Sequence, residues 1–344
     1  MHVENFMGFL YVLAGISFII LFVLNLVWGT AIIISAFSGG VQSIINNEGL
    51  IETIILSVYT KWILLSDLIW GCIFAIFVLS RKKYKTESNL HYLIHKPLES
   101  INICVVIPAW NEEKSIEQVI KDFQKQKFVK HILLIDNNSS DHTVEIAQKA
   151  GAIVIKKNEN KGYSHSVLLG LKESLKTDSN VILFTEADST YNGYDVEKML
   201  SYLPNVDMVL GSRYTQVLSE KDNQNSLMHI WGNILLAKMI QIKYFSLKHL
   251  GVVSLTDVGC AMRLMNRDCL EKIVPLLSDQ DSEYPTAGDS IQLHITMLAI
   301  ENNLRLVEIP ITFKKRMGKS KLESNEFVKG LKWGFKFMWF ILKS

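Results

Sequence analysis

The sequence predicts an α/β fold: a mostly parallel sheet flanked by helices, preceded by an N-terminal transmembrane helical hairpin and followed by a C-terminal amphipathic helix. Three observations predict it. No charged residue occurs from Phe6 to Phe37. From about Ile101 onward, short β-rich runs alternate with segments of helical period. Between Asn325 and Ser344, lysines recur at helical spacing among large apolar side chains.

The first apolar run, at about 1.5 Å rise per residue, is more than long enough to cross a ~30 Å hydrocarbon layer. Trp62 to Ser80 reads as a second span, interrupted only by Asp67, with Ile51 to Lys61 as its apolar entrance and a polar loop around Ser38 to Glu48 before it. The first run lacks the basic start and small-residue cleavage site of a signal peptide and is too long for one. Arg81, Lys82, Lys83 and Lys85 directly follow the second span, and basic flanks stay in the cytosol, so the remainder of the chain is expected on the cytosolic face. The spacing of Cys72, Cys104, Cys260 and Cys269 suits neither a metal site nor a disulfide framework. Over the whole chain 36 basic residues stand against 34 acidic ones, a balance that argues against a nucleic-acid partner.

The soluble part begins with a buried-strand pattern, Ile101 to Ile107, then a helix from about Glu113 to Lys127. A second strand, His131 to Asp136, precedes a helix near Asp141 to Ala150, and Ala152 to Lys156, Val181 to Phe184 and Asp207 to Leu210 repeat the strand signal. Such alternation implies parallel strands, and in these sheets ligands bind beyond the carboxyl ends of the strands. Three polar clusters fall at those ends: Pro108-Ala-Trp-Asn-Glu112, Asp136 to Thr143, and Glu186-Ala-Asp188. Asn111 or Asp141 taken alone reads best as a helix cap. Three clusters at three strand ends point instead to one crevice with partners for a base, a ribose and a metal. Two carboxylates one residue apart suit Mg²⁺ or Mn²⁺, which take one or two carboxylates plus substrate phosphates.

Val105 to about Leu322 resembles the family 2 glycosyltransferases of GT-A fold, and within them the polyprenyl- and dolichyl-phosphate mannosyl- and glucosyltransferases. The likeness runs through Pro108-Ala-Trp110-Asn111-Glu112, Asp136-Asn137, Asn160-Lys-Gly162, Glu186-Ala-Asp188, Gly211-Ser-Arg213-Tyr, Asp257 with Arg263, and Arg316-Met-Gly-Lys-Ser320-Lys321, in the family's order. Trp110 stands for a tyrosine, Glu186 for the first aspartate of the DXD motif, and Asn137 for the second aspartate of a doublet; these departures bear on base and sugar.

The resemblance implies that Pro108, Trp110, Glu112, Asp136, Asn137 and Gly162 hold the nucleoside. It places Asp188 on the metal with Glu186 beside it on ribose or metal. It sets Arg213, Arg263, Arg316, Ser320 and Lys321 against donor or acceptor phosphates, for which arginine offers a bidentate fork and lysine a point charge. Asp289, after Gly288, is a general base or a helix cap; transfer to a lipid phosphate needs no strong base, whereas transfer to a hydroxyl does. The expectation is an inverting, metal-dependent transferase that moves one sugar from a UDP- or GDP-sugar to a polyprenyl phosphate. A hydroxyl acceptor on a lipid-linked glycan and a non-catalytic membrane scaffold are the rivals. The Gln-x-x-Arg-Trp pattern of processive synthases is absent. The expected domains are an anchor over 1–85, a linker over 86–100, the catalytic domain over 101–324, and over 325–344 a basic helix lying on an anionic bilayer.

Overall fold

A computed structural model describes residues 15–31, 33–34, 58–80, 100–216, 218–221, 223, 226–244, 254–278, 291–317 and 327–343. The chain divides into two compact units, Met1–Lys83 with Leu342–Ser344, and Tyr84–Ile341.

The first unit contains the helices Gly15–Ala31 and Val58–Ser80. Among the described residues one helix is long and apolar enough to cross a membrane, within Val58–Ser80; Gly15–Ala31 is apolar but shorter. The two pair through their few polar groups. Asn25 Nδ2 donates to Asp67 Oδ1 at 3.0 Å and Trp28 Nε1 to Thr60 Oγ1 at 3.1 Å. The polar residue interrupting each apolar run is thereby the other's partner, which removes the cost of an unpaired amide or carboxyl in apolar surroundings. Ile19, Leu26, Trp62 and Leu68 lie exposed on these helices. The outer parts of the predicted first span, the loop Ser38 to Glu48 and the basic cluster Arg81 to Lys85 lie outside the described residues.

The second unit is built on a seven-stranded sheet ordered β3-β2-β1-β4-β6-β5-β7. Its strands are β1 (Ile103–Ala109), β2 (Val129–Asp136), β3 (Ile153–Lys156), β4 (Val181–Phe184), β5 (Met208–Ser212), β6 (Arg263–Asn266) and β7 (Leu306–Pro310). All pairings are parallel except those of β6, which runs antiparallel to β4 and to β5. Central β1 carries an uninterrupted apolar run because helices cover both of its faces, and every one of its residues is buried. β3, at the edge, is exposed at both ends. β6 was not among the expected strands: its charged first residue, Arg263, masks the apolar signal.

The helix Ile291–Glu301 is buried on every side from Ile291 through Ile300. It holds His294, whose ring meets Phe340 of the helix Phe327–Lys343 edge-on at 5.5 Å. Burial pushes the His294 pKa down to about 4. The unfolded chain takes up this proton near the ordinary value of about 6.5 and the folded chain does not, so stability falls as pH drops from about 6.5 to about 4. The expected loss is on the order of 2–3 kcal/mol. Chemical denaturation at pH 7 and pH 4.5 checks it: His294→Gln should flatten the dependence, and an unchanged slope would remove His294 as its source.

Candidate active site

The strand-end clusters meet in one cleft of about 480 Å³, a volume suited to a substrate-sized ligand. Beyond β1 the chain turns sharply at Asn111, whose φ of 54° is left-handed. The loop is laced to the one after β2: Asn111 N donates to Ser139 Oγ at 2.9 Å, Ser140 N to Asn111 Oδ1 at 2.8 Å, and Glu112 N to Thr143 Oγ1 at 2.8 Å. Asn111 is therefore not a helix cap. Asp141 ties the loops as well, accepting from Glu113 N and Thr143 N. Asn138 and Ser189, at the ends of β2 and β4, are also left-handed. Three non-glycine residues in this costly conformation mark three successive strand ends as over-determined by their surroundings.

Pro108, Trp110, Glu112, Asn137, Gly162, Glu186, Asp188, Arg213 and Arg316 all line this cleft. Gly162 adopts a φ of 85°, open to glycine at little cost, and starts the helix Tyr163–Ser174. Behind the wall, buried Lys157 donates from Nζ to Asn137 Oδ1 at 2.6 Å and Ser166 Oγ at 3.1 Å, and desolvation pulls its pKa down to about 8.

Two expected ligands are placed elsewhere. Asp136 is fully buried beneath the cleft, where its carboxylate accepts from Ser139 N at 3.2 Å; it shapes the loop and is not among the lining residues. Arg263 is a correction. Its guanidinium points into the protein, with Nε on Cys260 O at 3.1 Å, Nη2 on Val258 O at 3.1 Å and Nη1 on Thr296 Oγ1 at 2.7 Å. A side chain 1% exposed with three internal acceptors is a strut between strand and helix, out of reach of a phosphate. Asp289, Ser320 and Lys321 lie outside the described residues.

Asp188 is buried in the wall of the cleft. Oδ1 accepts from Thr190 N at 3.1 Å and Thr190 Oγ1 at 2.5 Å, and Oδ2 pairs with Arg316 Nη2 at 2.8 Å. Burial opposes the Arg316 charge, but Asp188, Glu186 and Glu112 outweigh it and raise its pKa. Glu186 lies 3.4 Å from Tyr163 OH, which itself accepts from Gln292 Nε2 at 2.8 Å. Tyr163 and Gln292 are lining residues the sequence reading missed, along with His229 and Trp333. The only signal for Tyr163 was its place after the Gly162 turn; Gln292 is brought in by a buried late helix.

The chain's family model is that of glycosyl transferase family 2, which matches residues 104–274. An uncharacterised protein of Methanocaldococcus jannaschii is 32% identical over 212 residues, 61% of this chain and 80% of its own. This chain is a family 2 glycosyltransferase. Polyprenol monophosphomannose synthase of Mycolicibacterium smegmatis is 26% identical over 244 residues, 67% of this chain and 86% of that one. Glucosyl-3-phosphoglycerate synthase of Mycobacterium tuberculosis, crystallised with Mn²⁺, uridine diphosphate and phosphoglyceric acid, superposes with a TM-score of 0.50 at 15% identity, covering 70% of this chain and 78% of that one, and shares its fold.

The donor set of this glycosyltransferase fits a hard divalent cation. Glu186 and Asp188 offer carboxylate oxygens in the same cleft, and no group of three or more ligating side chains gathers among the described residues. A cation here would depend on substrate oxygens for the rest of its shell, the usual habit of Mg²⁺.

Arg213 is held more firmly. Its Nε and Nη2 grip the two oxygens of Asp257 at 2.6 and 2.7 Å, and it lies over the rings of Tyr214 and Phe313. Asp257 and Thr256 are gripped in turn by half-buried Glu308, which accepts from Asp257 N at 2.7 Å, Thr256 N at 2.8 Å and Thr256 Oγ1 at 2.7 Å. A Cβ at Gly259 would lie 2.5 Å from Asn233 Oδ1, so glycine lets the loop close against the helix Leu227–Lys243. Arg213 is left with Nη1 unpartnered among the described residues, at the edge of the cleft. Glu308→Ala would orphan two backbone donors, at about 1–3 kcal/mol each, and release Asp257. A several-fold rise in donor KM is expected, with a smaller rise for Glu308→Gln, measured by steady-state kinetics beside thermal melting. An unchanged donor KM would separate Glu308 from Arg213.

Proposed function

We propose that this glycosyltransferase moves one sugar, with inversion, from a UDP- or GDP-sugar to a polyprenyl phosphate at the cytosolic face of a membrane. The observation that carries the reading is the double character of the cleft. One part is polar, with Glu112, Glu186, Asp188, Arg213 and Arg316. The other is walled by Met228, Gly232 and Leu236 of one helix and by Gly330, Trp333, Gly334 and Phe337 of another.

Both helices carry an exposed apolar stripe, Leu227, Trp231 and Leu235 on the first and Leu331, Phe335 and Trp339 on the second. Ile341 of the C-terminal helix is buried and Phe340 packs on the core, so this helix is half docked on its own domain. The exposed stripes, with Lys332 and Lys336 on the C-terminal helix, suit an anionic lipid surface. An acceptor whose phosphate must stay near the headgroup plane would then reach the polar part without leaving the bilayer. The named activity of the mycobacterial polyprenol relative supports the same acceptor.

In the reaction an acceptor phosphate oxygen, already ionised, attacks the anomeric carbon as the bond to the nucleotide's β-phosphate breaks. Pro108, Trp110, Glu112 and Asn137 would hold the nucleoside, with Asp136 shaping their loop. Arg213 and Arg316 would hold phosphates. A divalent ion on Asp188 and Glu186 would neutralise charge on the leaving diphosphate. The protein's share is positioning and fixed electrostatics, with no strong base.

The test uses the full chain in anionic vesicles, with undecaprenyl or dolichyl phosphate and a panel of UDP- and GDP-sugars. Radiolabelled glycosyl phospholipid from at least one donor is expected, and Phe335→Ser with Trp339→Ser should raise the lipid KM while sparing the donor KM. Glycosylation of hydroxyl acceptors alone, with a requirement for Asp289, would replace this reading with the hydroxyl-acceptor one.

A further inference from the structure

We infer that Arg316 holds the place of the metal on Asp188 and releases it when a diphosphate offers the guanidinium a second anion, so that metal and nucleotide bind as a couple. This rests on the proposed reading of Asp188 and Glu186 as the metal pair.

The coupling follows from how Asp188 is committed. Its Oδ1 is used within its own turn by Thr190 N and Oγ1, which leaves Oδ2 as the oxygen turned to a partner from elsewhere in the chain. That partner is one nitrogen of Arg316, whose other donors have no partner among the described residues. A small cation and a guanidinium cannot share Oδ2 closely, since their charges repel in a buried site where water screens little. The two therefore compete for Oδ2 until a diphosphate is bound.

The exchange asks nothing of the fold. Met317 N donates to Asp188 O at 3.1 Å and Lys314 N to Thr190 O at 2.8 Å, so the backbone beside Arg316 is pinned to the turn that carries Asp188. Only the arginine side chain has to rotate. Its planar fork suits two phosphate oxygens better than the single carboxylate oxygen it now meets. A nucleoside diphosphate would thus draw Arg316 off Asp188 and add its own oxygens to the cation. By linkage, the metal would raise nucleotide affinity by the same factor that the nucleotide raises metal affinity.

The experiment measures Mn²⁺ binding to the full chain by the electron paramagnetic resonance of free Mn²⁺, with and without UDP or GDP. No sugar is present, so there is no turnover to read. Wild type, Arg316→Gln and Asp188→Asn are compared, with circular dichroism to show that each is folded. Arg316→Gln is expected to bind Mn²⁺ alone about tenfold more tightly than wild type, a coupling of ordinary size. The enhancement by nucleotide should shrink in the same variant, although its glycosyl transfer is impaired. Arg316→Gln binding Mn²⁺ alone no more tightly than wild type overturns the exchange. Asp188→Asn binding Mn²⁺ as well as wild type overturns the metal assignment itself, and the exchange with it.

Discussion

Asp188→Asn is expected to lower kcat for glycosyl transfer by about a thousandfold or more while the protein keeps its fold. Asn retains an oxygen for Thr190 N and fills the same space, so the loop after β4 should persist with Ser189 still left-handed. What it loses is charge. A carboxylate that anchors a divalent ion supports several kcal/mol of stabilisation on a departing diphosphate, and about 1.4 kcal/mol is a factor of ten in rate. Arg316 also loses its ion pair with Asp188, which exposes the variant to a modest stability cost. Thermal melting within a few degrees of wild type, beside the collapse in kcat, would separate the two effects. Turnover near wild type, or undiminished activity in excess EDTA, would sink the assignment.

Arg263 should behave in the opposite way. Arg263→Ala is expected to destabilise the protein by about 3 kcal/mol, leaving three buried acceptors without a donor and a cavity the size of the lost side chain. Part of that loss is given back, because burial already works against the charge and pushes its pKa down to about 10. A melting temperature lower by about 4–6 °C is the readout for a chain of this size. Donor and acceptor KM of the folded fraction should stay near wild type, since the guanidinium faces Cys260 O, Val258 O and Thr296 and not the cleft. An unchanged melting temperature with a raised KM would restore Arg263 to phosphate binding.

The contrast between these two residues shows what a motif conveys. Both stand in patterns that the family resemblance reads as functional. Asp188 follows β4, whose apolar run ends at Phe184, so a position in the turn beyond a strand end could be read from periodicity alone. Arg263 opens a four-residue antiparallel strand that periodicity did not reveal, and a charged residue without a visible strand is naturally assigned to a ligand. Its real partners, Cys260, Val258 and Thr296, are distant in sequence or silent in type.

The sequence by itself determined the α/β alternation, the parallel strands and the polar clusters at their ends, because these depend on local periodicity and on the composition of short runs. It also singled out the apolar N-terminal segments and the interruption Asp67, though not that Asn25 would pair with it. Tertiary structure alone decided which charged side chains turn toward the cleft and which turn inward. It brought Tyr163 and Gln292 beside Glu186, set Glu308 behind Asp257, and docked one face of the C-terminal helix on the core so that its other side walls the cleft. The physical reason is that local pattern reports whether a position can be buried. The direction of a buried charge is chosen by whichever hydrogen-bond partners the packed neighbours supply, and those neighbours come from far along the chain.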